Sequence, residues 1–282
     1  MIKIDDLYFH YPGQEHLFEK LNLTLRDGAV HGLLGKNGAG KTTLLKIIAG
    51  LRKPIKGECR AYGYDTDKRI PDYLSQIYFV PEEFRLPGIY MKEYIKTYGP
   101  FYPNFDRDDL HDYLEKFELP DHGKLTDFSF GQKKKFLVSF GLATNCKLLI
   151  LDEPTNGLDI PSKSKFRQIL ASSINSSRTF IVSTHQVRDI DQLIDPIVIL
   201  DEGKIIFNYS LNEISSKLNI QVVDELPDKE VLYSENTIGG YSIVTENISE
   251  EGSAVDVETV FNAVIENQKK MEQIFTSTNK KD

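Results

Sequence analysis

The sequence contains no apolar stretch approaching the ~20 residues that a membrane-crossing helix needs; runs such as Leu148 to Leu151 stop after a few positions. The chain is therefore not expected to cross a bilayer by itself. Cysteine is scarce: Cys59 and Cys146 lie far apart, with no CxxC and no clustered histidines, which argues against a disulfide framework or a structural zinc site. A reducing, cytosolic setting is the expectation. The opening residues Met1-Ile2-Lys3-Ile4-Asp5-Asp6 lack the basic patch and apolar stretch of a secretory leader, so secretion of the chain is not expected. Glycine and proline are modest, 19 and 12 among 282 residues, and 40% of side chains are hydrophobic against 27% charged. Neither a disordered chain nor a fibrous repeat fits that balance, and the length suffices for one large core or two modest ones.

An excess of basic charge is also missing. The 34 Lys and Arg stand against 42 Asp and Glu, for a formal net charge of −8. Residues 1–207 carry 28 side chains of each sign, so the whole excess belongs to residues 208–282, where 6 basic residues meet 14 acidic ones. That shift marks a boundary between a core and an acidic C-terminal extension. An acidic extension opposes attachment through it to nucleic acid or to an anionic membrane surface, and no nucleic-acid partner is expected.

Within residues 1–207, strand-like runs alternate with helical periodicity. Strands are expected at Ile2 to Tyr11, Leu21 to Arg26, Ala29 to Leu34, Glu58 to Tyr62, Ile77 to Val80, Leu148 to Leu151, Thr179 to Ser183, Ile197 to Leu200 and Ile205 to Phe207. Several are continuous short apolar runs, the pattern of strands buried on both faces of a mostly parallel sheet. Helices are expected at Lys41 to Ile48, Ser162 to Ile174 and Val187 to Leu193, which makes an α/β core. Between about residues 83 and 146 the strand signal gives way to helical segments, Lys92 to Tyr98, Arg107 to Phe117 and Gln132 to Ala143, read as a helical insertion. Tyr90, Tyr94, Tyr98, Phe101, Tyr102 and Phe105 crowd into this region. They serve either as packing for the inserted helices or, in part, as the lining of a groove for a partner.

In the extension, Glu230 to Ser234 and Tyr241 to Thr245 flank Ile238-Gly239-Gly240 and read as two strands around a turn. From Asp256 onward, Val257, Val260, Phe261, Val264, Ile265, Met271, Ile274 and Phe275 recur at helical spacing, with Asp256 or Ser253 as the cap. This amphipathic helix either packs on its own domain or helps hold a second copy of the chain.

The strongest chemical signal is Gly35-Lys36-Asn37-Gly38-Ala39-Gly40-Lys41-Thr42-Thr43, a G-x-x-x-x-G-K-[ST] loop between an apolar strand and a helical pattern. Its glycines let successive N–H groups turn inward toward phosphate oxygens, and the helix N-terminus adds partial positive charge. Lys41 is expected to reach the β- and γ-phosphates and the Thr42 hydroxyl to ligate Mg²⁺. A second motif, Lys147-Leu148-Leu149-Ile150-Leu151-Asp152-Glu153-Pro154, is an apolar strand ending in two carboxylates at the edge where open α/β sheets bind ligands. Successive side chains point in different directions, so Asp152 suits the outer coordination sphere of Mg²⁺ and Glu153 suits polarising an attacking water.

With these residues in view the sequence resembles the nucleotide-binding subunits of ATP-binding cassette (ABC) transporters. Phe128-Ser129-Phe130-Gly131-Gln132 is similar to that family's signature, usually L-S-G-G-Q, and Pro154-Thr155-Asn156-Gly157-Leu158-Asp159 to its D-loop. Ser183-Thr184-His185 resembles the switch histidine, and Tyr11 holds the place of the aromatic that stacks on adenine. The resemblance covers residues 1–207 and implies a P-loop NTPase core of ABC type, with an N-terminal antiparallel β portion, the helical insertion, and a small C-terminal α+β extension. It implies ATP and Mg²⁺ as ligands. Ser129, Phe130, Gly131 and Gln132 of one chain are then expected to close over the nucleotide held by the loop of a second copy, the γ-phosphate biasing a two-state interface.

Two positions depart from the family pattern. Phe130 stands where a glycine is usual, which puts a benzyl group where the partner surface approaches. Glu82, in Tyr78-Phe79-Val80-Pro81-Glu82-Glu83, replaces the usual glutamine; its carboxylate can ligate Mg²⁺ but cannot donate a hydrogen bond as an amide does. Lys133, Lys134 and Lys135 follow the signature in a helix's first turn, where cations oppose the dipole; they are read as solvated, with nucleotide or partner contact as the alternative.

The expected function is an ATP hydrolase subunit, with Lys41, Glu153 and His185 catalytic, that powers a separately encoded membrane-spanning partner, exporter-like in kind. The expected location is cytoplasmic, peripheral on the inner membrane through that partner. The competing readings are a soluble ABC ATPase of a cytosolic assembly complex and an ATP-sensing module with weak hydrolysis.

Overall fold

The computed structural model of the chain describes residues 1–120, 122–227, 230–247 and 252–276. Strands β1 (Ile2–Phe9) and β2 (Phe18–Leu25) pair antiparallel, with apolar residues turned largely to one face. The chain then runs through β3 (Val30–Leu34) and helix α1 (Lys41–Ile48) to β4 (Lys56–Ala61) and the short β5 (Tyr64–Asp65). The last two join the first two in an antiparallel sheet ordered β2-β1-β4-β5. After α2 (Pro71–Leu74) and β6 (Ile77–Val80) come the inserted helices α3 (Met91–Tyr98), α4 (Arg107–Lys116) and α5 (Phe130–Ala143). Strand β7 (Leu148–Asp152), α6 (Ile160–Ser173), β8 (Thr179–Thr184), β9 (Ile197–Asp201) and β10 (Lys204–Tyr209) complete a six-stranded sheet ordered β10-β9-β3-β8-β7-β6. Only β10 runs antiparallel to its neighbour.

This sheet is buried on both faces, which is why its strands read as unbroken apolar runs: β3, β7 and β8 have no exposed residue. Alternation sends Leu148 and Ile150 into the core shared with α1 and the antiparallel sheet, and Leu149 and Leu151 into the core under the inserted helices. The aromatic crowd divides. Tyr94, Tyr102 and Phe105 pack around Phe140 at ring-centroid distances of 5.2, 6.3 and 5.1 Å, while Tyr98 and Phe101 stay exposed.

The extension adds α7 (Leu211–Lys217) and the antiparallel strands β11 (Leu218–Val223), β12 (Tyr233–Thr237) and β13 (Gly240–Glu246), then α8 (Val257–Glu266) and α9 (Gln268–Thr276). Asp256 caps α8 by accepting from the Thr259 N–H at 2.7 Å, whereas the Ser253 hydroxyl donates to Leu218 O at 2.6 Å. Of the two readings of the amphipathic segment, packing on its own chain is observed. Val257, Val260, Val264, Met271 and Phe275 are buried in the core that also holds Phe207, and the Phe275 ring lies 4.9 Å from that of Phe207.

Three local expectations need correction. Val187 to Leu193 is not an α-helix but a 3₁₀ turn over Val187–Asp189. Its apolar spacing is that of single contacts, Val187 and Ile190 on the core, and the Asp189 carbonyl accepts from Arg167 rather than from a further helical turn. The first strand ends at Phe9, because the Tyr11 carbonyl accepts the Gln14 N–H in a turn. The strand placed at Glu230 to Ser234 is β12, Tyr233–Thr237, its register set by pairing Thr237 with Gly240 across the turn.

Phe140 tests the cohesion of the insertion. Phe140→Ala is expected to lower the free energy of unfolding by about 3–5 kcal/mol in urea denaturation. A loss under about 1 kcal/mol means that this cluster does not hold the helices to the sheet.

Candidate functional site

The carboxyl ends of four parallel strands share one edge, with Leu34 beside Thr184, Asp152 beside Ser183 and Val80 beside Leu151. At the end of β3 the loop through Gly38 turns back into α1. Gly40 is the helix's N-cap at φ 107°, and a Cβ there meets the Phe18 ring at 2.8 Å, so both the backbone and the packing require glycine. No side chain caps α1, which leaves its first turn for an anion. Lys41 is buried, its amine donating to the carbonyls of Gly35 at 2.7 Å and Lys36 at 3.2 Å, with Glu153 Oε1 3.9 Å away. Burial pulls its pKa below the ordinary lysine value, against the opposing pull of Glu153, Asp152 and Glu82.

At the end of β7 the two carboxylates part company. Asp152 is fully buried; Oδ2 accepts from the Thr42 hydroxyl at 2.8 Å and Oδ1 from the Ser183 hydroxyl at 2.6 Å. Glu153 sits at φ 45°, left-handed for a non-glycine residue, and its N–H is held by the Ser183 carbonyl at 3.1 Å and hydroxyl at 3.2 Å. His185 Nδ1 lies 2.8 Å from Glu153 Oε1, while Oε2 has no hydrogen-bond partner among the described residues. Burial raises the Glu153 pKa, with His185 and Lys41 pulling it back. A buried carboxylate with one oxygen held and one free is equipped to accept a proton from water.

These groups line a cavity of about 700 Å³. Tyr11, Lys36, Asn37, Gly38, Gly40, Lys41, Thr42, Thr43, Glu82, Glu153 and His185 all face it, as do Gln14, Glu15, His16 and Leu17, which sequence reasoning passed over. The Tyr11 hydroxyl is 2.9 Å from Thr43 Oγ1 and Arg52 covers its ring at 5.7 Å. Gly35, Ala39 and Asp152 lie buried just outside the lining, as backing for it. Ser129, Phe130, Gly131 and Gln132 are not part of this cavity.

The ABC transporter family profile matches residues 18–156. The chain is 32% identical over 213 residues to the bacitracin transport ATP-binding protein BcrA of Bacillus licheniformis, across 73% of this chain and 68% of that protein. It belongs to the ABC transporter ATP-binding family. It is also 28% identical to the molybdate import ATP-binding protein MolC of Haemophilus influenzae, across 83% of this chain and 93% of that one. Among solved structures it resembles a dimeric post-hydrolysis ATP-binding cassette bound to ADP and Pi, with a TM-score of 0.65, 25% identity, and coverage of 74% and 98%. This ABC cassette thus binds ATP and is an ATP hydrolase.

In this cassette the signature opens α5. Ser129 and Gln132 cap each other, Gln132 N–H donating to Ser129 Oγ at 3.2 Å and Ser129 N–H to Gln132 Oε1 at 2.9 Å. Phe130 is half-exposed and stacks on Phe84 with centroids 5.1 Å apart. The reading of three solvated lysines fails at Lys134, which is fully buried and donates to the carbonyls of Pro81, Glu82 and Glu153 at 3.3, 3.1 and 3.3 Å. Burial pulls its ammonium down to about 8, opposed by Glu82, Asp152 and Glu153. The signal was present: Lys134, Leu137, Val138 and Gly141 fall on one helical stripe, and the last three are buried. Lys133 and Lys135 bond locally, to Thr126 O and to Phe117 O and the Ser162 hydroxyl. Asn156, also passed over, donates to Glu82 Oε1 at 3.0 Å and accepts from Gln186 at 3.2 Å, tying three loops of the edge together. Behind the loop, the extension joins the site. Glu258 of α8 pairs with Arg188, and Phe261 lines a small space with Gly35, Lys36, Asn37 and His185.

Because folding raises the Glu153 pKa, its ionisation is a cost. That cost is absent below the unfolded value of about 4.3 and appears as pH rises through the folded one. Glu153→Gln is therefore expected to raise the melting temperature of the nucleotide-free protein at pH 8, with the gain vanishing near pH 4. An unchanged melting temperature at pH 8 means that Lys41 and His185 offset the burial.

Proposed function

We propose that this cassette powers a membrane-spanning partner encoded as a separate chain, works as a head-to-tail homodimer, and drives export. The observation that carries the partner is a second concavity, about 810 Å³, between the inserted helices and the α2–β6 side of the sheet. Tyr98, Phe101, Tyr102, Phe84 and Leu86 line it, and Phe101 is 66% exposed, the composition of a surface built to receive an apolar protein segment. Among the described residues no helix is long and apolar enough to cross a membrane. The partner would place the chain at the cytoplasmic face of the inner membrane. Export rests on the resemblance to exporter-like ABC subunits; the relatives' names include a bacitracin transporter and a molybdate importer. The working units are residues 1–207 as the ATPase core, about 83–146 as its docking subdomain, and 208–282 as an extension.

In this reading Tyr11 stacks on adenine, and the loop from Gly35 through Thr43 wraps the phosphates. Lys41 exchanges its loop carbonyls for β- and γ-phosphate oxygens. The Thr42 hydroxyl, Asp152 and Glu82 form an all-oxygen set suited to Mg²⁺, with Thr42 already oriented by Asp152. When bound there, Mg²⁺ neutralises charge on the phosphate oxygens. Glu153 Oε2 takes the proton from a water whose oxygen attacks the γ-phosphorus as the bond to the β–γ bridging oxygen breaks. His185, with Nδ1 on Glu153, offers Nε2 to the γ-phosphate. Ser129, Phe130, Gly131 and Gln132 close over the nucleotide of the second copy; the exposed Phe130 and Ile160 are apolar surfaces such closure covers.

Glu153→Gln is expected to retain ATP binding, lose hydrolysis by about 10²–10⁴-fold and accumulate as an ATP-bound dimer in size-exclusion chromatography. A parental rate would remove Glu153 from its role. Lys41→Ala is expected to weaken both binding and hydrolysis, and unchanged affinity in titration with ATP counts against the phosphate placement. Capture of the chain from detergent-solubilised native membranes should bring down a multi-span protein in stoichiometric amount, and Phe101→Asp should lose it while keeping basal ATPase activity. Only soluble partners in the capture would favour an assembly ATPase instead.

A further inference from the structure

Lys134 carries its amine in a water-free place, and nothing in the nucleotide chemistry above uses it. An ammonium has three donors, and here all three are spent on backbone carbonyls from two different loops: Pro81 and Glu82 after β6, and Glu153 after β7. The charge is roofed by two aromatic faces, Phe84 at 5.3 Å and Phe130 at 5.7 Å, which stack on each other at an interplanar angle of 18°. Phe130 precedes Lys134 by one helical turn, so the residue that departs from the family signature is the one that shields this amine.

The bond to Glu153 lands on strained backbone. Glu153 is held at φ 45° by Ser183 of β8 on its N–H side and by Lys134 of α5 on its carbonyl side. The direction of its carboxylate therefore depends on where α5 lies. The same helix begins at the signature, with Ser129 as N-cap five residues before Lys134. A helix turn is stiff over that distance, so displacement of the signature displaces the amine.

We propose that Lys134 is a positioning residue that makes α5 a lever within one chain: contact of the signature with the second copy is passed through Lys134 to the backbone of that chain's own Glu153 and Glu82. Each chain thereby sets its hydrolytic geometry according to whether its signature is engaged at the other site. The inference rests on the reading of Glu153 as the water-polarising carboxylate and on the head-to-tail dimer. It assigns to Lys134 no contact with nucleotide.

Lys134→Met keeps the stem and removes every donor; Lys134→Arg keeps charge and donors. In steady-state ATP hydrolysis by the full chain, Lys134→Met is expected to lower kcat on the order of 10–100-fold with the ATP KM within about 3-fold, a loss of geometry rather than of binding. The dependence of rate on ATP is expected to become hyperbolic. Lys134→Arg is expected to recover a substantial part of the lost kcat. A parental kcat in folded Lys134→Met, or equal rates in the Met and Arg variants, overturns the proposal. So does a loss confined to KM. If the Met variant does not fold, Lys134→Leu, which also removes every donor, decides in its place: parental kcat overturns the lever, and reduced kcat at unchanged KM supports it. Glu153→Gln measured alongside separates the two readings. An inactive Glu153→Gln with a fully active Lys134→Met sinks the lever alone, whereas an active Glu153→Gln sinks the assignment it rests on.

Discussion

The phosphate edge depends on one constraint: charge held where water is excluded. Lys41, Asp152, Glu153 and Lys134 are all buried at the carboxyl end of β7 and its neighbours. Each is held there by specific partners that replace its hydration, carbonyls for the lysines, hydroxyls for Asp152 and an imidazole for Glu153. Those partners come from the ends of β3, β6, β7 and β8 and from the first turn of α1, so the parallel sheet has to form with its strand ends level for the charges to be tolerated. The site and the fold are for this reason a single cooperative object.

Not every group is satisfied, and the exception is informative. Glu153 Oε2 lacks a partner among the described residues while its other oxygen and its backbone are fastened, so the carboxylate keeps one acceptor uncommitted. Strain is gathered at the same residue, in a left-handed backbone flanked by two anchors. The remaining anchors tie the loops after β6, β7 and β8 to each other through Asn156 and Gln186, and the extension closes the rear of the loop through Phe261. A change of position in one loop is therefore felt by the others, and the extension is built against the switch segment rather than apart from it.

Much of this was legible before any coordinates. Continuous apolar runs identified β6, β7 and β8 because both sheet faces are covered, and the glycine spacing with Lys41 and Thr42 singled out the loop that lines the cavity. The helix expected after β8 was misread, since apolar spacing alone does not separate a packed turn from a helix. Helix α7 and strand β11 went unnoticed, their half-exposed residues giving neither period clearly. Lys134 was misjudged for a different reason: side-chain type argued for solvent, and only its helical phase argued for the interior.

What the sequence determined by itself was local: most of the segments that form strands and helices, and the motif residues that the fold gathers around one cavity, because periodicity and motif spacing are written along the chain. What only the tertiary structure decided was pairing across it. That Ser183 holds Asp152 and Glu153, that Lys134 holds Glu153 from 19 residues away, and that α8 lies beside His185 and Arg188 all depend on level strand ends and on helices crossing the sheet. Such contacts are set by the packing of distant segments into a shared interior, for which no short stretch of sequence carries a pattern.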